Sequence, residues 1–378
     1  MRATPLLLAF LFTVLAGAPY AHAQEVVSDT VTFEKAKVTV VVSQHEEFVF
    51  ATNATSTYQT IEALVLDGNE KGKTVKLEND YLILKEGDVF YLRHTVNALD
   101  GKDLYAVSEP YRLPVLWFFV GLFLLCLFVF GGKQGVRGLL ALAAGLLLIS
   151  YVLLPGILAG HSPVLLSISV ASVIIIVGSY ITHGFNRTTT AAVAGMLLTV
   201  ALTGALAYGA IHFAKLSGYT NEETVYLNFN TKGAIDFVGL LFGGIMIGLL
   251  GVLYDAAISQ AIVVEELLAV GKGIDKRELF GRALRIGREH IGALVNILAI
   301  AYVGASLPLL LLFEQVASKQ LLTTINQEMF ATEILRAAIS SIGIILAVPL
   351  TTLVSVWMLH GKKQNASPES RSHSHSHR

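Results

Sequence analysis

The chain has 378 residues, 54% of them hydrophobic and 15% charged, with a mean hydropathy of +0.63. Soluble domains carry about 25% charged residues, so this composition points into a bilayer. The formal net charge of −1 lacks the basic field of a nucleic-acid binder, and a lone cysteine, Cys126, excludes disulfides within the chain and cysteine-built metal sites.

Residues 1–23 read as a signal peptide. Arg2 supplies the positive start, Leu6 to Gly17 the short apolar run, and Ala21-His22-Ala23 an A-x-A cleavage site. That run is shorter than the roughly 20 residues a span requires, and an uncleaved anchor would give the same topology. Residues 24–112 change character. Period-two stretches such as Lys37 to Val42 and Thr60 to Val65 alternate with the turn sequences Asp67-Gly68-Asn69, Glu86-Gly87-Asp88 and Asp100-Gly101. The expectation is an extracytoplasmic β-rich domain, an OB-like barrel or a sandwich. It lacks the interleaved aromatic and basic residues of a nucleic-acid face.

Residues 113–361 read as an α-helical integral membrane bundle. A hydrocarbon core of about 30 Å needs about 20 apolar residues of helix. Seven segments qualify: 114–131, 136–157, 163–182, 189–211, 234–254, 291–313 and 334–359. With the β domain outside, thirteen Lys and Arg fall on the cytoplasmic side, among them Lys133, Arg137, Arg187, Arg277 and Arg288, against Lys215, Lys232 and Lys319 outside. The positive-inside rule then places this protein in a bacterial inner membrane, N-terminus out and C-terminus in.

The fifth segment carries the chemistry. Gly244, Gly248, Gly251, Asp255 and Ser259 fall on one helical face. Small residues permit close helix approach in lipid, so the glycines read as a packing seam. A carboxylate near the end of a span is costly against lipid and marks a proton- or cation-responsive group or an interfacial residue. The helix continues through Glu265 and Glu266 to Gly271-Lys272-Gly273. Residues 275–290 then form an amphipathic helix with Arg277, Arg282, Arg285 and Arg288 opposite Leu279, Ala283 and Ile286, closing a hairpin over 255–290. Such a helix suits a layer of anionic headgroups. His290 at its end titrates in the neutral range when unperturbed. In the sixth segment Asn296 offers an interhelical hydrogen bond, and Gly304 and Pro308 mark close packing and a kink. The candidate titrating or transport residues are thus Asp255, Ser259, Glu266, His290 and Asn296, and Gly244, Gly248, Gly251, Gly304 and Pro308 the packing set. In the fourth segment Gly195, Thr199 and Thr203 share a face that suits packing or a polar path. Residues 362–378 form a low-complexity tail in which His373, His375 and His377 alternate with serine, a weak divalent-metal site or simply disorder.

Gly251-Val-Leu-Tyr-Asp-Ala-Ala-Ile-Ser-Gln260, Glu265-Glu266-Leu267, Leu279-Phe280, Arg285-Ile-Gly-Arg-Glu-His-Ile-Gly292, Asn296 and Ala301-Tyr-Val-Gly-Ala-Ser-Leu-Pro-Leu-Leu310 resemble the YibE/F family of bacterial membrane proteins. The resemblance implies a multi-pass membrane architecture and not a reaction. The order of elements is also similar to one half of resistance-nodulation-division and SecD/SecF exporters, an analogy of arrangement. The functional expectation is a permease-like or export-accessory protein moving a small solute, ion or proton, with no catalytic residues and no cofactor. Its partners would be the bilayer and either a second copy or another membrane protein. The alternatives are a non-catalytic scaffold or sensor working through the outer domain, and an intramembrane protease. For the protease, Asp236 and Asp255 are about 28 Å apart on one helix and Ser306 and His290 about 24 Å, and His161 and His183 are expected in loops.

Overall fold

A computed structural model describes residues 29–49, 54–98, 100–271, 273–317 and 320–363. The signal sequence, Lys272, Lys319, and the tail with His373, His375 and His377 lie outside the described residues. The chain divides into two units, Met1–Leu124 and Leu125–Arg378.

The first unit holds five strands: β1 (Thr30–Val49), β2 (Ala54–Val65), β3 (Thr74–Asn79), β4 (Val89–Val96) and β5 (Asp103–Pro110). They form one antiparallel sheet in the order β3-β2-β1-β4-β5. β1 is central and long. Its first half pairs with β4 and its second with β2, with register shifts between Val38 and Val40 and between Val41 and Ser43. Bulges bend a strand, so the sheet curls into a half-barrel with the strand order of a five-stranded OB arrangement. Period-two alternation fills the inside with Ala36, Val38, Ile61, Ala63, Val75, Leu77, Phe90 and Leu92, all buried. The turn glycines expected from sequence, Gly68, Gly87 and Gly101, all have positive φ, a conformation in which a Cβ is strained.

A polar clasp joins the β2–β3 turn to β5. Tyr105 donates its hydroxyl hydrogen to Glu70 Oε2 at 2.7 Å, and Lys73 Nζ donates to Glu70 Oε1 at 2.8 Å and to Tyr105 Oη at 2.6 Å. Burial pushes the Glu70 carboxyl up, but the hydrogen bonds from Lys73 and Tyr105 outweigh it and hold it below the ordinary carboxylate value. A depressed carboxylate stabilises the fold above its unfolded pKa, and that contribution is lost as pH falls through the folded value. Amide exchange in residues 70–79 is therefore expected to quicken below about pH 4 in the wild type, relative to Glu70→Gln at the same pH. Parallel pH profiles for the two proteins would contradict this.

The second unit is helical. Its elements are α1 (Leu113–Leu148, which begins in the first unit), a π-helical turn (Ile149–Leu153), α2 (Leu154–Leu158), α3 (Pro163–His183), α4 (Arg187–Phe213), α5 (Glu222–Asn230), α6 (Phe237–Val270), α7 (Lys276–Ala305), α8 (Leu307–Ala317), α9 (Leu321–Ile325) and α10 (Glu328–Lys363). Among the described residues, six helical runs are long and apolar enough to cross a membrane. The first, Leu113–Leu158, is 46 residues long and carries the first two expected segments, 114–131 and 136–157, which meet at a kink where Gly132 leaves helical geometry (φ 52, ψ −141). At 1.5 Å per residue this run reaches about 69 Å, more than twice the roughly 30 Å of a hydrocarbon core, so it has the length for both.

The turn between α3 and α4, the turn between α6 and α7, and the end of α10 share one end of the bundle. His183 meets Tyr254 across 5.9 Å between ring centroids, and His360 Nε2 lies 2.8 Å from the Ile274 carbonyl oxygen. At the opposite end Glu328 accepts the backbone N–H groups of Ser217 (2.7 Å) and Gly218 (2.8 Å). The core runs between them through Ala171, Met196, Phe242, Ile245, Met246, Leu249, Leu253 and Ile344. α4 and α10 approach through small residues: a Cβ on Gly195 would lie 2.8 Å from Thr351 Cα, and one on Gly343 3.0 Å from Thr203. The Gly195-Thr199-Thr203 face is therefore a packing seam.

Two expectations change. The amphipathic segment does not lie apart on a headgroup layer: it is the first half of α7, continuous with the sixth span. Of its apolar side, Leu279 and Ala283 are buried with Val264 and Val356, so protein covers that part, while Ile286 stays exposed, as do Arg277, Arg282, Arg285 and Arg288. Pro308 does not kink a continuous helix either. α7 ends at Ala305, and Pro308 sits in the first turn of α8, where the missing N–H costs nothing.

Candidate functional site

α6 organises the site. Asp236 caps its N-terminus, Oδ1 accepting the Gly239 N–H at 3.0 Å, and the helix runs on for 34 residues. Its apolar residues fill the bundle core on three sides. What remains is a stripe that the chain leaves uncovered: Gly244, Gly248, Gly251, Asp255 and Ser259 are all exposed. A Cβ on Gly244 or Gly251 would meet nothing within 4 Å, whereas one on Gly248 would lie 2.9 Å from the Tyr302 hydroxyl of α7. By contrast, Gly239 and Gly243 of the same helix face Asp236, Pro163 and Ser167. Equal spacing in sequence thus hides two different faces.

Asp255 lies level with the last turn of α3. His183, the final residue of that helix, is within electrostatic reach of its carboxylate, and Tyr254 donates its hydroxyl hydrogen to the Gly178 carbonyl at 3.3 Å. His183 is thus helical and not in a loop as expected; His161 does lie in the loop before α3. Beside them a cavity of about 110 Å³ is lined by His183, Asn186, Thr188, Thr189, Ile258, Ile262 and Glu265. Charge on either group is felt by the other across the gap between α3 and α6, and each changes charge when it takes up or gives up a proton.

The other expected residues scatter. Glu266 is exposed one turn beyond the cavity, His290 is exposed on α7 with Nδ1 3.2 Å from the Ile286 carbonyl oxygen, and Asn296 faces outward. Gly304 and Pro308 are exposed, with nothing within 4 Å of a Cβ on Gly304. Ser306 Oγ donates to Glu333 Oε2 at 3.3 Å, far along α7 from His290.

Two polar features escape sequence reading. Gln260 is buried where α6, α7 and α10 meet, its Nε2 donating to the Ala283 carbonyl (2.9 Å) and to Thr352 Oγ1 (2.7 Å). Gly287 packs against it. A methyl group there would lie 2.5 Å from Val348 Cγ1 and closer still to Gln260 Oε1. Gly287→Ala is expected to cost about 1–3 kcal/mol of overpacking, read as a lowered melting temperature in detergent. The second feature is Glu333 with Arg336, paired at 2.8 Å early in α10. Their separation of three residues was a signal, but nothing in the sequence ties them to Ser306.

A sheet domain followed by a bundle with six apolar, membrane-length helices defines a helical integral membrane protein. The model of the YibE/F-like protein family matches residues 119–361, and the chain belongs to that family. The match covers the bundle and leaves out the β domain. No curated protein and no solved structure matches the chain.

Proposed function

We propose that the protein is a permease-like or export-accessory protein of a bacterial inner membrane, N-terminal domain outside, that moves a small solute, ion or proton. The reading is carried by one observation: the uncovered glycine stripe of α6 runs directly to Asp255, with His183 in reach. Glycines without side chains let a neighbouring element slide along the stripe, and a change of charge at Asp255 alters the cost of exposing it to lipid. Protonation and helix movement are then linked at one place. The test uses proteoliposomes loaded with a mixture of small solutes, their efflux followed by mass spectrometry with and without a pH gradient. At least one solute is expected to leave faster with the gradient than from empty liposomes. Identical efflux of every solute would overturn the reading.

The sensor alternative has its own observation. Val31, Phe33 and Leu104 are 46%, 60% and 57% exposed on the outer face of β1, β4 and β5, where Val31 and Leu104 both pair with Thr95. Deleting residues 24–112 separates the two: a transporter retains flux, and a sensor loses all response.

A further inference from the structure

At the end of the bundle opposite Asp255, a cavity of about 520 Å³ opens between α3, α4 and α6. This volume lies in the range of small-ligand sites. Its polar groups come from Asp236, His212, Tyr208 and Ser162, its apolar wall from Ile211 and Phe242 among others, and no Lys or Arg lines it. We propose that this cavity binds a monovalent ammonium group carried on a short apolar residue.

The charge balance selects a cation. Asp236 uses Oδ1 to cap α6 through the Gly239 N–H, which leaves Oδ2 as an acceptor at the cavity wall. Tyr208 packs on His212 with 4.1 Å between ring centroids and the rings tilted by 36°, and His212 Nδ1 lies 2.8 Å from the Tyr208 carbonyl oxygen. Tyr208 lines the cavity and is half exposed, and an ammonium held over an aromatic ring gains about 0.5–1 kcal/mol or more. The aliphatic wall suits the alkyl part. A divalent metal fits poorly: one carboxylate and one imidazole line the cavity, and among the described residues no three His, Cys, Asp or Glu side chains are gathered to hold an ion. The polar character continues below the floor. Ser167 Oγ is fully buried on α3, faces Gly243 of α6 and has no hydrogen-bond partner, although its neighbours Ser169 and Ser172 both bond back to their own helix. This hydroxyl does not line the cavity, but it leaves an unpaired polar group in the α3–α6 seam that the cavity opens from.

Such an ammonium has two sources, a soluble primary amine or the headgroup of phosphatidylethanolamine, and the experiment separates them. The full-length protein in maltoside micelles is titrated calorimetrically with butylammonium, butanol and butyrate. Butylammonium is expected to bind about tenfold or more tighter than the other two, the size of one charge-assisted hydrogen bond. Asp236→Asn keeps an N-cap residue of equal quality, so the helix start survives, and it should abolish the preference. Tyr208→Leu should weaken butylammonium about threefold. Phosphatidylethanolamine added to the micelles either displaces butylammonium, which assigns the site to the lipid headgroup, or leaves it bound, which assigns it to a soluble amine. Equal affinity for the three probes, no measurable binding, or an unchanged preference in Asp236→Asn would overturn the proposal. It goes beyond the transport reading and does not rest on it: Asp255→Asn should bind butylammonium as the wild type does, whatever its flux.

Discussion

Asp255→Asn is expected to leave the protein folded and inserted while gradient-dependent efflux falls to the level of empty liposomes. The substitution is isosteric, and Asp255 is exposed on an uncovered face, so no packing is disturbed. What disappears is the ability to change charge beside His183. A positioned proton-transfer group contributes on the order of a hundredfold or more to a rate, so loss of flux should be near complete. Asp255→Glu, which keeps a titrating carboxyl, should retain part of it. Wild-type efflux from the Asn variant, with normal expression and a normal melting temperature, would remove Asp255 from the mechanism.

The second large effect concerns stability. Gly195→Leu is expected to prevent α4 and α10 from closing, because a Cβ on Gly195 already lies 2.6 Å from Thr351 Oγ1 and 2.8 Å from Thr351 Cα. Backbone cannot swing aside as a side-chain tip can, so the helices must separate along a seam that also holds Thr203 against Gly343. Overpacking of smaller size costs about 1–3 kcal/mol, and a whole isobutyl group at a backbone contact should exceed that. The readout is the yield of monodisperse protein and its melting temperature in detergent. Gly244→Ala and Gly251→Ala, where a methyl meets nothing within 4 Å, should melt within a degree or two of wild type and serve as controls. A stable Gly195→Leu would contradict the α4–α10 contact.

These two positions also show what sequence could and could not convey. Spacing told which glycines share a face, but Gly195 and Gly251 look alike as letters, and only the bundle says that one is pressed on a neighbouring backbone and the other is open. Local signals read well: the turn glycines Gly68, Gly87 and Gly101 and the alternating residues of the sheet core all depend on neighbours in the chain. Signals that needed a partner in space read less well. The apolar side of residues 275–290 matched a lipid surface or a protein surface equally, and Val264 and Val356 decide for protein at Leu279 and Ala283. The break between the expected segments 114–131 and 136–157 falls at Gly132, where the backbone kinks between two helices without a connecting loop. Asp255 stood out because a carboxylate in an apolar helix is costly anywhere. His183 did not, since its significance comes from lying level with Asp255 on another helix.

α7 has a mechanical consequence. It is one unbroken rod of 30 residues, about 45 Å long at 1.5 Å per residue, with exposed arginines at its start and the Ser306–Glu333 contact just past its end. In its last turn, Tyr302 packs against Gly248 and shares a hydrogen bond of 3.2 Å with Ser340. A rod cannot absorb a displacement along its length. A push or tilt at the arginine face is therefore carried along α7 to Tyr302 and the Glu333 contact, both at its other end, so one helix joins the two ends of the bundle.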